Sequence, residues 1–397
     1  MKTNPFLGAT LLIAGTSIGA GMLALPVSTA EYGFFPSVVL FFMCWLCMMA
    51  TGLLILEVNL WLKPGTNMIS MATTTLGIPG KVVTWITYLL LFYSLMAAYV
   101  SAMGDLVSKT TGSYFHLQIS TGIGSLLMIV VVSISVYLGM RSVDYMNRFF
   151  FFGKLVTYVL VVIVAAAFVH FSRLTVVNFH HAWLALPIII TSFGFQNTIP
   201  GLRVYLNSDI KKLRLAILLG SSLPLLIYIL WQVVILGAVP LDGESGLMGT
   251  LASGQPATAL ANSLDHIVKN NWISVLFKAF TLCAIVTSFI GVSCSLFDFL
   301  IDSFGIKRNM LGKSFALLMT FLPPLLFAFY YPEGFIFALG YAGIFVTLLL
   351  GILPALMVLS GRYWKKIATG YQPPINRPLL LLIIVFCMVI ICGLILQ

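Results

Sequence analysis

The sequence predicts an all-α polytopic membrane protein, and three observations carry that prediction. Hydrophobic residues make up 60% of the 397 positions and charged residues only 8%, far outside the composition of a soluble globular domain. Apolar segments long enough to cross a bilayer as helices recur along the whole chain, with a mean hydropathy of +1.07. Between these segments, lysine and arginine collect on alternate loops, as they do when one side of a membrane retains positive charge.

Eleven spans are predicted, over residues 6–30, 35–61, 82–107, 119–139, 149–170, 182–204, 214–239, 271–299, 312–331, 334–359 and 379–396. With the N-terminus inside, 17 of the 21 Lys and Arg residues face the cytoplasm, from Lys2 and Lys63 to Lys366 and Arg377. Lys109, Arg173 and Lys269 fall outside, and Lys278 lies within a span. The C-terminus is therefore expected on the outer face after an odd number of crossings. The net charge of +10 reflects this bias and attraction to anionic lipid head groups, so a nucleic-acid partner is not expected. All six cysteines lie in predicted spans as small apolar residues, with neither a disulfide framework nor metal-ligand spacing.

The first span carries its own interruption. Gly15-Thr16-Ser17-Ile18-Gly19-Ala20-Gly21 places three glycines and two hydroxyls in seven residues, and glycine lowers helix propensity while leaving the backbone approachable. Gly15 and Gly19 alone would suit a helix-packing face. That reading accounts for neither the hydroxyls nor the second interruption, Thr191-Ser192-Phe193-Gly194-Phe195-Gln196, in span 6. The two breaks lie five spans apart and so enter the membrane from opposite sides. The expected organisation is one transmembrane domain containing two inverted five-helix units, residues 1–171 and 172–360. Residues 361–397 add a cytoplasmic loop and an eleventh helix. Paired interruptions in two inverted halves point to a transporter's central site.

An unwound helix exposes amides that favour an anion and carbonyls that favour a cation. An α-amino acid carries both charges close together. The amides of Ser17, Ile18, Gly19, Ala20 and Gly21 are expected to hold its carboxylate, and carbonyls near Ala14, Gly15, Thr191 and Ser192 its ammonium. Thr16, Phe193, Gly194, Phe195 and Gln196 complete the expected binding set, with Tyr93 and Tyr99 of span 3 as further aromatic walls.

Ionisable residues inside spans are candidates for coupling. Lys154 lies about six residues into span 5, placed either to snorkel to the cytoplasmic surface or to titrate within a transport cycle. Glu57 and Asp298, near inner span ends, are more readily structural, with basic partners. Thr287 and Ser288 of span 8 would face the first break and could contribute to a sodium site, so proton and sodium coupling both stay open. Gly312-Lys313-Ser314 lacks the earlier glycine and the preceding strand of a phosphate loop, so no enzyme activity is expected. The stretch 63–81 reads as a short interfacial or re-entrant segment, and the glycine-rich loop 239–271 as a lid.

The first break, with Ser192-Phe193-Gly194-Phe195 and Ile199-Pro200, resembles the hydroxy and aromatic amino acid permease family, and bacterial tyrosine permeases in particular. Leu56-Glu57-Val58, Asn147-Arg148-Phe149 and Ser288-Phe289-Ile290-Gly291-Val292 extend the likeness along the chain. The resemblance implies a multi-pass symporter of the bacterial inner membrane, with the fold of the bacterial leucine transporter, that takes up tyrosine with protons and uses no cofactor. It also implies that Lys154 occupies the place of a sodium ion between spans 1 and 8. Gln196 departs from the histidine usual after Ser-Phe-Gly-Phe, which keeps tryptophan open as the substrate. A serine or threonine permease, and a non-pumping channel or sensor, are the other readings.

Overall fold

The computed structural model describes residues 5–243, 246–268, 271–307 and 309–395. Lys2, Lys269 and Arg308 of the charge pattern lie outside the described residues. Every regular element among them is helical. Among the described residues, nine helices are long and apolar enough to cross a membrane. A tenth crossing forms if α1 (Pro5–Ser17) and α2 (Gly21–Ser28), bent by 53° at the glycine-rich break, count as one span. The segment expected as the eleventh span is the helix α16 (Arg377–Ile395), whose apolar stretch over Arg377–Gly393 is too short to count with the nine.

The remaining spans are α3 (Phe34–Leu60), α4 (Met68–Phe115), α5 (Thr121–Leu138) and α6 (Met140–Ala166), then the interrupted pair α7 (Leu186–Thr191) and α8 (Ile199–Tyr205), then α9 (Ile210–Ala238). Two short helices, α10 (Leu247–Ala252) and α11 (Pro256–Val268), stand where a glycine-rich loop was expected. They pack on α2. The chain continues through α12 (Asn271–Phe304), α13 (Met310–Tyr330), α14 (Phe335–Val346) and α15 (Leu353–Leu359).

Local chemistry explains several boundaries. The side chains of Asn67, Ser120, Asp209 and Asn309 accept from the amides of Ser70, Ile123, Lys212 and Gly312, capping α4, α5, α9 and α13. Gly77, with φ 76°, kinks α4 in the left-handed region that glycine enters without a Cβ clash. The first turns of α4, residues 68–76, precede this kink. Pro224, Pro323 and Pro324 are carried inside α9 and α13, while Pro354 opens α15 after a widened turn over Thr347–Ile352.

One difference from the expected boundaries matters for function. The helix α6 begins at Met140, nine residues before the predicted start of span 5, because the polar stretch through Asn147 and Arg148 continues the helix. Lys154 therefore sits at mid-helix, with α6 packed along α12. Around it, α1 packs on α9, α7 on α14, and α3 on both α9 and α15, which brings the two breaks to the centre of the bundle.

Candidate functional site

The first break is pinned by its glycines. A Cβ on Gly19 would lie 2.6 Å from Ser288 Oγ of α12, and one on Gly21 would lie 2.8 Å from Ser192 Oγ at the second break. The amide of Ala20 donates to Ser288 Oγ at 3.0 Å, meeting a donor that the unwound turn leaves open. The Cβ positions at Gly19 and Gly21 are thus taken by protein hydroxyls, while both glycines still line the central cavity. Gly19→Ala is expected to cost about 1–3 kcal/mol through overpacking and to slow transport. Ser288→Ala in the same chain removes Oγ and leaves Ser288 Cβ at 3.7 Å, so the double variant should recover stability. Unchanged melting of Gly19→Ala alone would show that the contact is not tight.

Lys154 meets the same break from α6. Its Nζ donates to the Ile18 carbonyl at 2.9 Å, lies 3.4 Å from Thr287 Oγ1 of α12, and sits 5.3 Å from the Phe151 ring centroid. The side chain is 6% exposed, so it does not snorkel to the membrane surface. Among the described residues no carboxylate pairs with it. A buried ammonium without a counter-ion is costly unless dipoles are aimed at it, and here the carbonyl freed by the break supplies one.

Tyr228 of α9 was not singled out from the sequence. It is fully buried, and its hydroxyl stands 2.6 Å from the Ser17 carbonyl and 2.9 Å from the Ser192 carbonyl. These carbonyls end the first halves of both interrupted helices, so one hydroxyl proton serves two acceptors. The Ser192 carbonyl, expected to meet a substrate ammonium, already accepts from this protein donor. A signal was present: Tyr228 and Gln232 lie one turn apart in an apolar span, and Gln232 Nε2 donates to Thr29 Oγ1 at 2.6 Å. Tyr228→Phe leaves both buried carbonyls without this donor. It should destabilise the detergent-purified protein by about 1–3 kcal/mol, read as a lower Tm; an unshifted Tm would refute the bridge.

A cavity of about 620 Å³ opens beside these groups. Gly15, Thr16, Ser17, Ile18, Gly19 and Gly21 line it from the first break, and Thr191, Ser192 and Gly194 from the second. Lys154, Thr287 and Ser288 form the opposing wall, and the space continues past Gly8 and Leu11 of α1 to Asn147 and Arg148 of α6. Ser17 Oγ is buried and has no hydrogen-bond partner among the described residues, leaving it available to a ligand. Aromatic walls come from Tyr88, Phe92 and Tyr99 of α4 with Phe151 and Phe152 of α6.

Other expected residues point elsewhere. Ala14 and Ala20 are buried and do not line the cavity; the Ala14 carbonyl accepts from the Ile18 amide at 2.9 Å within the helix. Phe193 packs on Tyr228 with centroids 5.2 Å apart, and the Phe195 ring closes on Gly52 of α3. Only Gly194, between them, faces the cavity. Gln196 Nε2 donates to the Met48 carbonyl and Thr51 Oγ1, both at 3.0 Å, and its Oε1 accepts from the Phe195 amide at 2.9 Å, so it fastens the second break to α3. Asn197, its neighbour, lines the cavity. Tyr93 donates to the Met319 carbonyl at 2.8 Å and stands away from the site. Glu57 and Asp298 also lie off the cavity, with Asp298 half-buried and Glu57 paired to Arg362 at 2.6 Å.

The model of the tryptophan/tyrosine permease family matches residues 2–394. The chain belongs to this family. A tryptophan-specific transport protein of Haemophilus influenzae is 32% identical, covering 91% of this chain and 88% of its own. Tyrosine-specific transport system 1 of the same organism is 33% identical, covering 90% of this chain and 89% of its own. A tryptophan-specific transport protein of Shigella flexneri is 29% identical over 97% of this chain and 94% of its own. Family membership makes this chain a permease and not an enzyme, and its central cavity between two broken helices is what a permease requires.

Proposed function

We propose that this permease imports an aromatic amino acid, tyrosine, by proton symport across a bacterial inner membrane. The observation that carries the reading is the meeting of the Lys154 ammonium, the Ile18 carbonyl and the unpartnered Ser17 hydroxyl at one aromatic-walled cavity. Ser17 and the amides of the break receive the substrate carboxylate. Lys154 bonds the break when protonated and releases it when the proton leaves, so proton movement is tied to the arrangement of α1 against α6 and α12.

The helix order supports a leucine-transporter-like architecture with eleven spans, two inverted five-helix units over 1–171 and 172–360, and an added C-terminal helix. With the N-terminus cytoplasmic and the C-terminus periplasmic, as the charge distribution favours, the cavity leads to the cytoplasm along α1 and α6. The helices α10 and α11 then close the outer side. Alternating access follows from α1 and α2 hinging at the glycines. Thr287 is bonded to the carbonyls of Cys283 and Ala284 and to Lys154, which favours a proton over sodium as the coupling ion.

A second reading is tryptophan. Relatives named for tryptophan match as well as those named for tyrosine, and the amide of Gln196 is already engaged with α3, leaving Asn197 as the polar group near a phenol. Purified protein in liposomes with an inward proton gradient separates the readings. Concentrative uptake of labelled tyrosine, competed weakly by tryptophan and not by serine, is expected. Preferential accumulation of tryptophan would replace the substrate, and equilibration without accumulation would replace transport coupling by a channel.

A further inference from the structure

A second cavity, of about 400 Å³, lies away from the substrate site between α3 and α9. Its walls are Met49 and Leu53 of α3 and Leu215, Ile217 and Leu218 of α9, and two cations, Lys211 and Arg214, stand at the α9 end. Leu215 and Leu218 are 46% and 43% exposed, so the groove opens sideways to the surface that hydrocarbon would cover.

The pairing of the cations around it is selective. Lys212, which does not line the groove, forms an ion pair with Asp209 at 3.0 Å. Lys211 and Arg214, which do, pair with no carboxylate among the described residues. Arg214 is instead held with its guanidinium carbon 5.1 Å above the Tyr371 ring centroid, which orients the charge without neutralising it. Uncompensated charge is thus confined to the mouth of an apolar slot. A soluble anion would satisfy the cations and leave the slot to hydrocarbon; a neutral lipid would fill the slot and leave the cations unmet. An anionic lipid satisfies both, and basic pockets between membrane helices hold such head groups.

We propose that this groove binds one anionic glycerophospholipid, with its phosphate between Lys211 and Arg214 and an acyl chain along Met49, Leu53 and Leu218. The site is independent of which amino acid is transported. It also abuts the transport machinery, because Met48 and Thr51, beside Met49 on α3, hold Gln196 of the second break. The lipid therefore buttresses the helix to which that break is fastened.

The test is thermal unfolding of the full chain, purified in a neutral detergent, with phosphatidylglycerol, phosphatidylcholine of the same acyl chains, or inorganic phosphate added. Phosphatidylglycerol is expected to raise Tm by on the order of a few degrees, and the other two additives not to. The double variant Lys211→Gln/Arg214→Gln should lose the shift, while Lys212→Gln keeps it. Both changes fall on exposed side chains, so folding itself should survive. Equal stabilisation by phosphatidylcholine, a shift from phosphate alone, or loss of the shift in Lys212→Gln would each overturn the proposal.

Discussion

Lys154→Ala is expected to abolish proton-driven accumulation while leaving the protein folded and able to exchange substrate. One proton entering through 100 mV supplies about 2.3 kcal/mol, which supports roughly fifty-fold accumulation, and that whole factor should fall to about one. The reasoning is geometric. Lys154 Nζ is the group that joins α6 to the Ile18 carbonyl and lies against Thr287, so truncation removes the link between protonation and the position of the break. Liposomes measure both quantities: accumulation under an inward proton gradient, and counterflow at equal pH. Normal pH-dependent accumulation by the variant would end the coupling assignment. Loss of both activities with a lowered Tm would reassign Lys154 to structure.

Arg362→Ala should have the largest effect on stability. Its Nε and Nη2 donate to the two carboxylate oxygens of Glu57 at 2.7 and 2.6 Å, with Glu57 fully buried. Its Nη1 also donates to the Ile375 carbonyl at 2.6 Å, tying the segment before α16 to α3. Removing one partner of a buried pair strands the other charge, at a cost of about 3–5 kcal/mol. Adding Glu57→Gln removes the stranded charge, so the double variant should be less destabilised than the sum of the single changes. Additive losses in Tm or in chemical unfolding would show that the pair is not coupled. Sequence reasoning placed Glu57 as structural with a basic partner, and the partner proves to be 305 positions away.

Much of this was legible because the membrane restricts what a sequence can do. Backbone groups in lipid must be bonded within a helix, so a glycine and hydroxyl cluster such as Gly15 to Gly21 can persist only where it faces protein or a cavity. The location of both breaks followed from the local residue pattern and their spacing, and so did the placing of Ser17, Gly19, Thr191 and Ser192 near the centre. Side-chain direction did not follow. Phe193, Phe195 and Gln196 are contiguous with lining residues, yet an irregular turn sends each outward to α9 or α3, where Tyr228, Gly52 and Thr51 receive them.

Sequence therefore determined the class, the broken helices and the family, because hydrophobic run length, charge bias and glycine clustering are local properties. Tertiary structure alone decided which atoms satisfy the break: Ser288 for the Ala20 amide, Lys154 for the Ile18 carbonyl, and Tyr228 for the carbonyls of Ser17 and Ser192. These partners lie 36 to 268 positions from the groups they meet, and their pairing depends on how the helices pack.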